Sequence, residues 1–176
     1  MIIRLKNKHI LEVDEFQFRC CIGKNGLKKE KSEGDKSTPK GLFKLKKIYY
    51  RADRIKNLKS KFKQIIIKKN MGWCDDPRSK KYNKLINTNI EKKYEKLFRK
   101  DGKYDLLIEL DYNRKKPIPY KGSAIFLHLT KNYKPTAGCI AINKKDFLIM
   151  LKIIKKNTFI KINKILSPKI LEPIRK

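Results

Sequence analysis

Cys139 and His128 stand out because one is a thiol and the other an imidazole only eleven residues away. An imidazole within reach of a thiol takes its proton and makes the sulfur nucleophilic, as cysteine acyl-transfer enzymes require. Gly138 permits a sharp backbone and close substrate approach, and the amides of residues 138 and 139 are expected to face a developing oxyanion. Residue types alone leave a structural cysteine as the more common alternative, since most free cysteines are buried and inert.

The remaining cysteines and the second histidine suggest no comparable chemistry. Cys20 and Cys21 are adjacent in a predicted strand, so we expect buried thiols that point to opposite faces. The chain has no C-x-x-C pair and two histidines in total, which argues against a structural zinc site. His9 lies at a predicted hairpin turn and is interpreted as a surface residue, which leaves His128 as the candidate base.

Short strands dominate the architecture predicted around these residues. Apolar runs separated by turn residues predict strands over 1–6, 10–13, 16–22, 41–50, 64–67, 104–110, 123–129, 140–142 and 158–162. Apolar side chains at Ile90, Tyr94, Leu97 and Phe98 predict an amphipathic helix. Asn143 is the predicted N-cap of a buried helix that runs from 144 to about 154. We therefore predict one mainly β domain with a few helices (α+β) over 1–163, followed by a basic tail over 164–176.

The formal net charge is +30, from 47 Lys and Arg against 17 Asp and Glu. One interpretation is attraction to a polyanion such as nucleic acid, an anionic membrane surface or an anionic cell-wall polymer. The other, which we favour, is a lysine-rich composition that keeps the surface solvated. Lysine outnumbers arginine, and aromatic residues are not interleaved with arginine in an RNA-binding pattern, so a nucleic-acid-binding module is the disfavoured alternative.

The N-terminal residues turn polar at Arg4, before a hydrophobic run of signal-peptide length develops. No segment approaches the roughly eighteen apolar residues of a membrane span. Taken by themselves, these features predict a protein that stays in the cytoplasm unless it is exported by another route.

The sequence resembles the YkuD-type L,D-transpeptidase family in several segments. Residues 136–139 (Thr-Ala-Gly-Cys), together with His128, resemble the family's active-site motif in a branch with Ala before Gly-Cys. Residues 33–43 are similar to the family's Thr-Pro-x-Gly-x-Phe segment. Further similar fragments occur in the same order at 50–54, 72–76, 82–83 and 122–128. The resemblance therefore extends over residues 1 to about 162.

The resemblance implies a β-sandwich-like domain that catalyses acyl transfer between peptidoglycan stem peptides in the bacterial cell envelope. Cys139 would attack the carbonyl of an L-centre in the donor stem and hold it as a thioester. His128, oriented by a backbone carbonyl, would take the thiol proton, and an amine of the acceptor stem would resolve the thioester. No metal or organic cofactor is implied. Hydrolysis of the same thioester, as in an L,D-carboxypeptidase or endopeptidase, is the alternative.

Two residues depart from the better-known branch, in which His precedes Gly-Cys and Arg follows two residues after the cysteine. Ala137 and Ala141 occupy these positions, so the donor preference is expected to differ.

Side chains near the motifs provide the candidate substrate contacts. Arg51 and Arg54 either grip a stem-peptide carboxylate or pair with aspartates at 53 and 75. Trp73 either lines the pocket or belongs to the core. The turn over 38–41 is interpreted as structural. The full set of candidate substrate contacts is Arg51, Arg54, Trp73, Asp75, Ser123 and Thr136.

Overall fold

The structure, a computed structural model, describes residues 1–163. The strands are β1 (Ile2–Asn7), β2 (Ile10–Val13), β3 (Phe16–Cys21), β4 (Leu27–Lys28), β5 (Thr38–Pro39), β6 (Gly41–Tyr50), β7 (Gln64–Ile66), β8 (Met71–Cys74), β9 (Leu85–Asn87), β10 (Tyr94–Lys96), β11 (Leu106–Leu110), β12 (Phe126–Leu129), β13 (Ile140–Ile142) and β14 (Phe159–Ile162). The helix found in this range is α1 (Lys144–Ile153). The predicted mainly β, single-domain fold is confirmed, with one described helix rather than a few.

A nine-stranded sheet with the order β11-β12-β13-β3-β2-β1-β14-β6-β7 forms the body of the protein. β6 is long enough to pair with three strands, and its residues 48–50 lie along β7. Its residues 41–44 lie along β14, and its residues 45–50 lie along β11. The sheet therefore closes on itself around a core, and β12 and β13 become adjacent parallel strands within it.

The three strands around the candidate catalytic residues are buried on both faces. β11 (LLIEL), β12 (FLHL) and β13 (IAI) contain buried residues at every position. Continuous apolar runs suit strands that are covered on both sides, whereas β1 alternates between buried and exposed residues. Polar side chains on β12 are consequently held away from bulk water.

Asn143 begins α1 as predicted. Its side chain accepts a hydrogen bond from the Asp146 amide at 2.9 Å, which satisfies one of the free N–H groups of the first turn. The burial prediction was too broad, because Phe147, Met150 and Leu151 are buried whereas the other apolar side chains of the helix are only partly covered. The helix therefore covers the sheet with one face.

The amphipathic helix predicted between residues 90 and 98 is wrong. Residues 94–96 form β10, which pairs antiparallel with β8 so that Glu95 lies opposite Trp73. Ile90 is 77% exposed, although the helical pattern placed it on the apolar face. Four apolar positions at helical spacing give only a weak preference, and backbone pairing with a neighbouring strand overrides it. Together with β9, these two strands form a separate small sheet in the order β10-β8-β9.

Within residues 1–163, no helix is long and apolar enough to cross a membrane. The predicted basic tail over 164–176 lies outside the described residues, and the boundary before it stays a prediction.

Candidate active site

The register between β12 and β13 places the two candidate catalytic side chains on one face of the sheet. His128 is paired with Ala141 in this parallel ladder, and Leu127 is paired with Ile140. Cys139 precedes β13 directly and continues the ladder opposite Phe126. Since side chains alternate along a strand, Cys139 and His128 point to the same side, two positions apart.

A tight turn before β13 fixes the position of Cys139. The Thr136 hydroxyl donates to the Cys139 carbonyl at 2.6 Å and accepts from the Gly138 amide at 3.1 Å. Gly138 has φ +144°, and a Cβ at this position would lie 2.9 Å from the Ser37 carbonyl oxygen. Glycine is therefore required here by both backbone conformation and close approach. The expectation that the Gly138 amide faces an oxyanion needs correction, because Thr136 holds this N–H.

Two segments hold this turn in place through hydrogen bonds, namely the segment after β3 and the segment around β5. The Lys24 amide donates to the Thr136 carbonyl at 2.9 Å, and the Thr136 amide donates to the Ile22 carbonyl at 2.9 Å. The Thr38 hydroxyl accepts from the Gly23 amide at 2.8 Å and is fully buried. These contacts fit the structural interpretation of residues 38–41, since the Thr38 side chain ties the two supporting segments together.

Cys139 is 7% exposed, and its sulfur takes part in two hydrogen bonds. Its sulfur donates to the Ala124 carbonyl at 3.1 Å and accepts from the Phe126 amide at 3.3 Å. Burial, reinforced by the negative charge of Glu95, raises the pKa of the Cys139 thiol to about 12. The thiol is therefore neutral at physiological pH and needs a base to become a nucleophile.

His128 is oriented so that one ring nitrogen can act as that base. Its Nδ1 lies 2.9 Å from the Leu129 carbonyl oxygen. A carbonyl only accepts hydrogen bonds, so Nδ1 carries the proton and Nε2 has the free lone pair. Burial lowers the pKa of His128 to about 4, and the imidazole is consequently neutral at pH 7. The backbone-carbonyl contact implied by the family resemblance is present.

A cavity of about 640 Å³ joins these residues to a wall of charged side chains. Of the residues predicted from the sequence, the cavity is lined by Asp75, Ser123, His128, Thr136, Gly138 and Cys139. Three carboxylates also line the cavity, Glu33, Asp75 and Glu95, which we call the acidic wall. Four basic side chains line the same cavity, namely Lys31, Arg99, Lys103 and Lys134. A chain with a formal charge of +30 thus places negative charge beside its candidate nucleophile.

Three of the predicted substrate contacts lie away from this cavity. Arg51 donates to both carboxylate oxygens of Asp53, and its guanidinium stacks 3.5 Å from the centre of the Phe98 ring. Arg54 pairs with Asp105 at 2.9 Å. The structure therefore shows both arginines in ion pairs, away from the cavity. Asp75 is not a partner of either arginine.

Trp73 lies in the core, as its alternative interpretation proposed. It is 1% exposed, and its indole nitrogen donates to the Asn83 side chain at 2.8 Å. Its ring packs edge-on against Phe126, the residue whose amide donates to the candidate nucleophile. Trp73 therefore supports the site through its packing against Phe126.

Sequence reasoning missed several residues that line the cavity, namely Lys31, Glu33, Glu95, Arg99 and Tyr104. Lys31 is 3% exposed and pairs with Asp35 at 2.5 Å. Tyr104 donates to Glu95, and its ring lies edge-on to His128 at 5.1 Å. Lys31, Glu33 and Arg99 come from loops and Glu95 from the unpredicted strand β10, whereas Tyr104 begins a predicted strand whose pattern gives no sign of a cavity.

Comparison with known proteins gives a family match over most of the chain. The YkuD family model, described as an L,D-transpeptidase catalytic domain, matches residues 1–162. No curated protein matches the chain. The solved structure of Bd1075 from Bdellovibrio bacteriovorus is similar over 92% of this chain and 46% of that chain, at 14% identity and a TM-score of 0.47. The chain thus spans less than half the length of that protein.

The motif-based family resemblance is confirmed by the family match, whereas the assignment to the Thr-Ala-Gly-Cys branch stays a prediction. The match covers all but the last of the described residues. It includes the β12–β13 pair, the turn before β13 and the loops that line the cavity. The chain therefore belongs to the YkuD family of L,D-transpeptidase catalytic domains.

Proposed function

We propose that this protein is a peptidoglycan L,D-transpeptidase that transfers an acyl group through a thioester on Cys139. The observation that carries the proposal is the convergence of Cys139 and His128 on one face of the β12–β13 pair, at the edge of a shared cavity. The imidazole presents Nε2 as the free acceptor, because Nδ1 is held by Leu129. A buried thiol and a neutral imidazole that line the same cavity suit nucleophilic catalysis assisted by a general base.

The first half-reaction transfers a proton as the carbon–sulfur bond forms. His128 Nε2 takes the proton of Cys139 while the sulfur attacks the carbonyl carbon of an L-centre in the donor stem. The resulting imidazolium gives that proton to the nitrogen of the departing residue, so the amide bond breaks and a thioester remains. Because burial disfavours both charged forms, the proton moves during the attack rather than before it.

The oxyanion formed in this step needs hydrogen-bond donors within the turn before β13. The Gly138 amide is engaged with the Thr136 hydroxyl, so we assign the Cys139 amide as the donor. Backbone amides that are fixed by the surrounding structure stabilise an oxyanion effectively, since they need not reorganise during the reaction. The hydrogen bond from Thr136 to the Cys139 carbonyl holds this peptide group in place.

The second half-reaction releases the thioester to an amine of the acceptor stem. His128 takes a proton from the attacking amine and returns it to the sulfur as the new amide forms. Attack by water instead of the amine would give a free carboxylate and an L,D-carboxypeptidase or endopeptidase activity. The reaction would take place in the cell envelope, where its stem-peptide substrates lie, and the lysine-rich surface would favour contact with anionic polymers there.

Mass spectrometry of disaccharide stem peptides incubated with the protein tests this proposal. The wild type is expected to form cross-linked dimers, and Cys139→Ala is expected to lose them by at least about 10⁴-fold because the nucleophile is absent. Cys20→Ala is the matched control, since it removes another buried thiol from β3, outside the cavity. This control should retain activity.

Each other outcome of the experiment points to a different function. Shortened monomers without dimers would identify a hydrolase that uses the same thioester. Substrates left unchanged by the wild type, together with DNA binding that weakens steeply with salt, would favour the nucleic-acid-binding alternative. Equal product formation by wild type and Cys139→Ala would exclude Cys139 as the nucleophile.

A further inference from the structure

The three carboxylates of the acidic wall are not equally satisfied. Glu33 accepts a hydrogen bond from the Tyr82 hydroxyl, and Glu95 accepts one from the Tyr104 hydroxyl. Asp75 Oδ1, in contrast, is buried and has no hydrogen-bond partner among residues 1–163. A buried acceptor without a partner is unusual in a folded protein. The wall therefore has one oxygen that is ready to accept a hydrogen bond from a ligand.

Ser123 is a second, independent sign of a ligand at the same place. It is 6% exposed, lines the cavity, and its hydroxyl lies near the Tyr82 hydroxyl but makes no hydrogen bond within the described part of the chain. The next residue, Ala124, provides the carbonyl that accepts the Cys139 thiol at 3.1 Å. The unpaired hydroxyl is thus one residue away from the contact that positions the candidate nucleophile.

A cationic donor fits these two oxygens better than other ligands. Asp75 accepts hydrogen bonds when it is ionised, and the Glu33 carboxylate, which acts on Asp75 more strongly than any other charge, repels an anion there. An ammonium group has three donors and no acceptor, so it can satisfy Asp75 and Ser123 together. A metal ion is a poorer match, because residues 1–163 contain no cluster of three His, Cys, Asp or Glu side chains placed as ligands.

We infer that Asp75 and Ser123 form a subsite for the ammonium group at the end of the diamino-acid side chain of the donor stem. This inference rests on the proposed function, which brings a stem peptide into the cavity. The residue acylated by Cys139 has to extend its side chain within that cavity, which Asp75 and Ser123 also line. Its terminal ammonium would then reach the oxygens of these two residues.

The donor stem fits this subsite better than the acceptor stem does. An acceptor amine must lose its proton before it attacks a thioester, whereas a carboxylate partner stabilises the protonated form. A subsite that held the acceptor amine as an ammonium would oppose the second half-reaction. Burial and the nearby charge of Glu33 raise the pKa of Asp75, and an ammonium ligand would offset both effects.

Acylation of two donors that differ in one charge tests the subsite. The donors are tetrapeptide stems whose diamino side chain carries either a free or an acetylated amine, and the readout is the thioester adduct followed by intact mass. Wild type is expected to prefer the free amine by about 10- to 100-fold in kcat/KM, as one charged hydrogen bond would give. Asp75→Asn should abolish this preference, and Ser123→Ala should reduce it.

Asp76→Asn is the matched control, because it makes the same charge change one residue away. Asp76 is hydrogen-bonded to Arg78 and does not line the cavity. This variant is expected to keep the wild-type preference. An unchanged preference in Asp75→Asn would overturn the inference, and so would an effect of Asp75→Asn confined to the transfer step, which would assign the subsite to the acceptor.

Binding to the inactive Cys139→Ala protein separates this inference from the proposed function. Calorimetry with the two tetrapeptides should show tighter binding of the free amine, and Asp75→Asn in the same background should remove the difference. If wild type forms no thioester with either donor, the proposed function fails, while the binding difference still decides the subsite. Equal binding of both peptides to Cys139→Ala would overturn the inference.

Discussion

The residues that line the cavity fall into two groups, which are held in place by different kinds of contact. On the side of β12 and β13, backbone ladders and full burial position Cys139 and His128, and both titrating groups are neutral at pH 7. On the side of the acidic wall, side chains hold one another through charged hydrogen bonds, such as those from Tyr104 to Glu95 and from Lys31 to Asp35. In the proposed function the first group carries out the chemistry, and in the proposed subsite the second group recognises charge.

This difference suggests that rate and selectivity depend on separate parts of the molecule. A substitution on the β12–β13 side should alter the rate for every donor, because it changes the sulfur or its base. A substitution in the acidic wall should alter which donor is used and how stable the wall is. The experiments below test this division.

The largest effect is expected for His128→Gln. Glutamine keeps a hydrogen-bonding side chain but cannot take the thiol proton, so acylation should slow by about 10²- to 10⁴-fold for all donors. Single-turnover measurement of the thioester would show this loss at equal ratios for the free-amine and acetylated donors. A loss restricted to one donor would contradict the division between the two sides.

The pH dependence of stability should also report on His128. Burial lowers its pKa from 6.5 to about 4. Between these two pH values the His128 side chain is therefore protonated in the unfolded chain and neutral in the folded protein. This contribution to the free energy of unfolding is fully present above pH 6.5 and falls by about 3 kcal/mol between pH 6.5 and 4. Urea unfolding at several pH values, compared with His128→Gln, would isolate it. Parallel curves for the two proteins would show that His128 is not buried in its neutral form.

A smaller effect is expected for Tyr104→Phe, which removes a hydrogen bond to the acidic wall. The phenylalanine keeps the ring beside His128 but removes the donor to Glu95, which leaves a buried carboxylate with a weaker set of partners. The free energy of unfolding should fall by about 1–3 kcal/mol. Denaturant unfolding at pH 7 provides the measurement. A change below about 0.5 kcal/mol would indicate that this hydrogen bond does not hold the wall.

The smallest effect is expected for Asn143→Ala, which removes the N-cap of α1 behind the sheet. The loss should be about 1 kcal/mol in stability, with acylation rates unchanged because α1 does not line the cavity. Thermal unfolding and the thioester assay would be measured on the same sample. A large loss of activity would mean that the helix controls the position of β13.

The sequence predicts the β12–β13 side well and the acidic wall poorly. Apolar runs mark the buried strands, the Asn143 cap marks α1, and the Gly-Cys motif marks the turn before β13. The wall is assembled from segments far apart in the chain, and Glu95 reaches it only because β10 pairs with β8. Unlike β13 (IAI), β10 (YEK) has no apolar run that marks a strand, and the apolar residues around it are spaced as in a helix. Long-range pairing of this kind leaves no local pattern.

Burial of Cys139 also bears on its encounters with oxidants and alkylating reagents. Such reagents attack thiolates, and their access depends on exposure. A thiol that is 7% exposed and has a pKa of about 12 offers them almost no thiolate at neutral pH. We therefore expect the sulfur to react with peroxide or maleimide more slowly than an open catalytic cysteine does, which intact mass over time would measure. Selective covalent inhibitors of this protein would need to fit the cavity and let His128 accept the proton, rather than rely on reactivity alone.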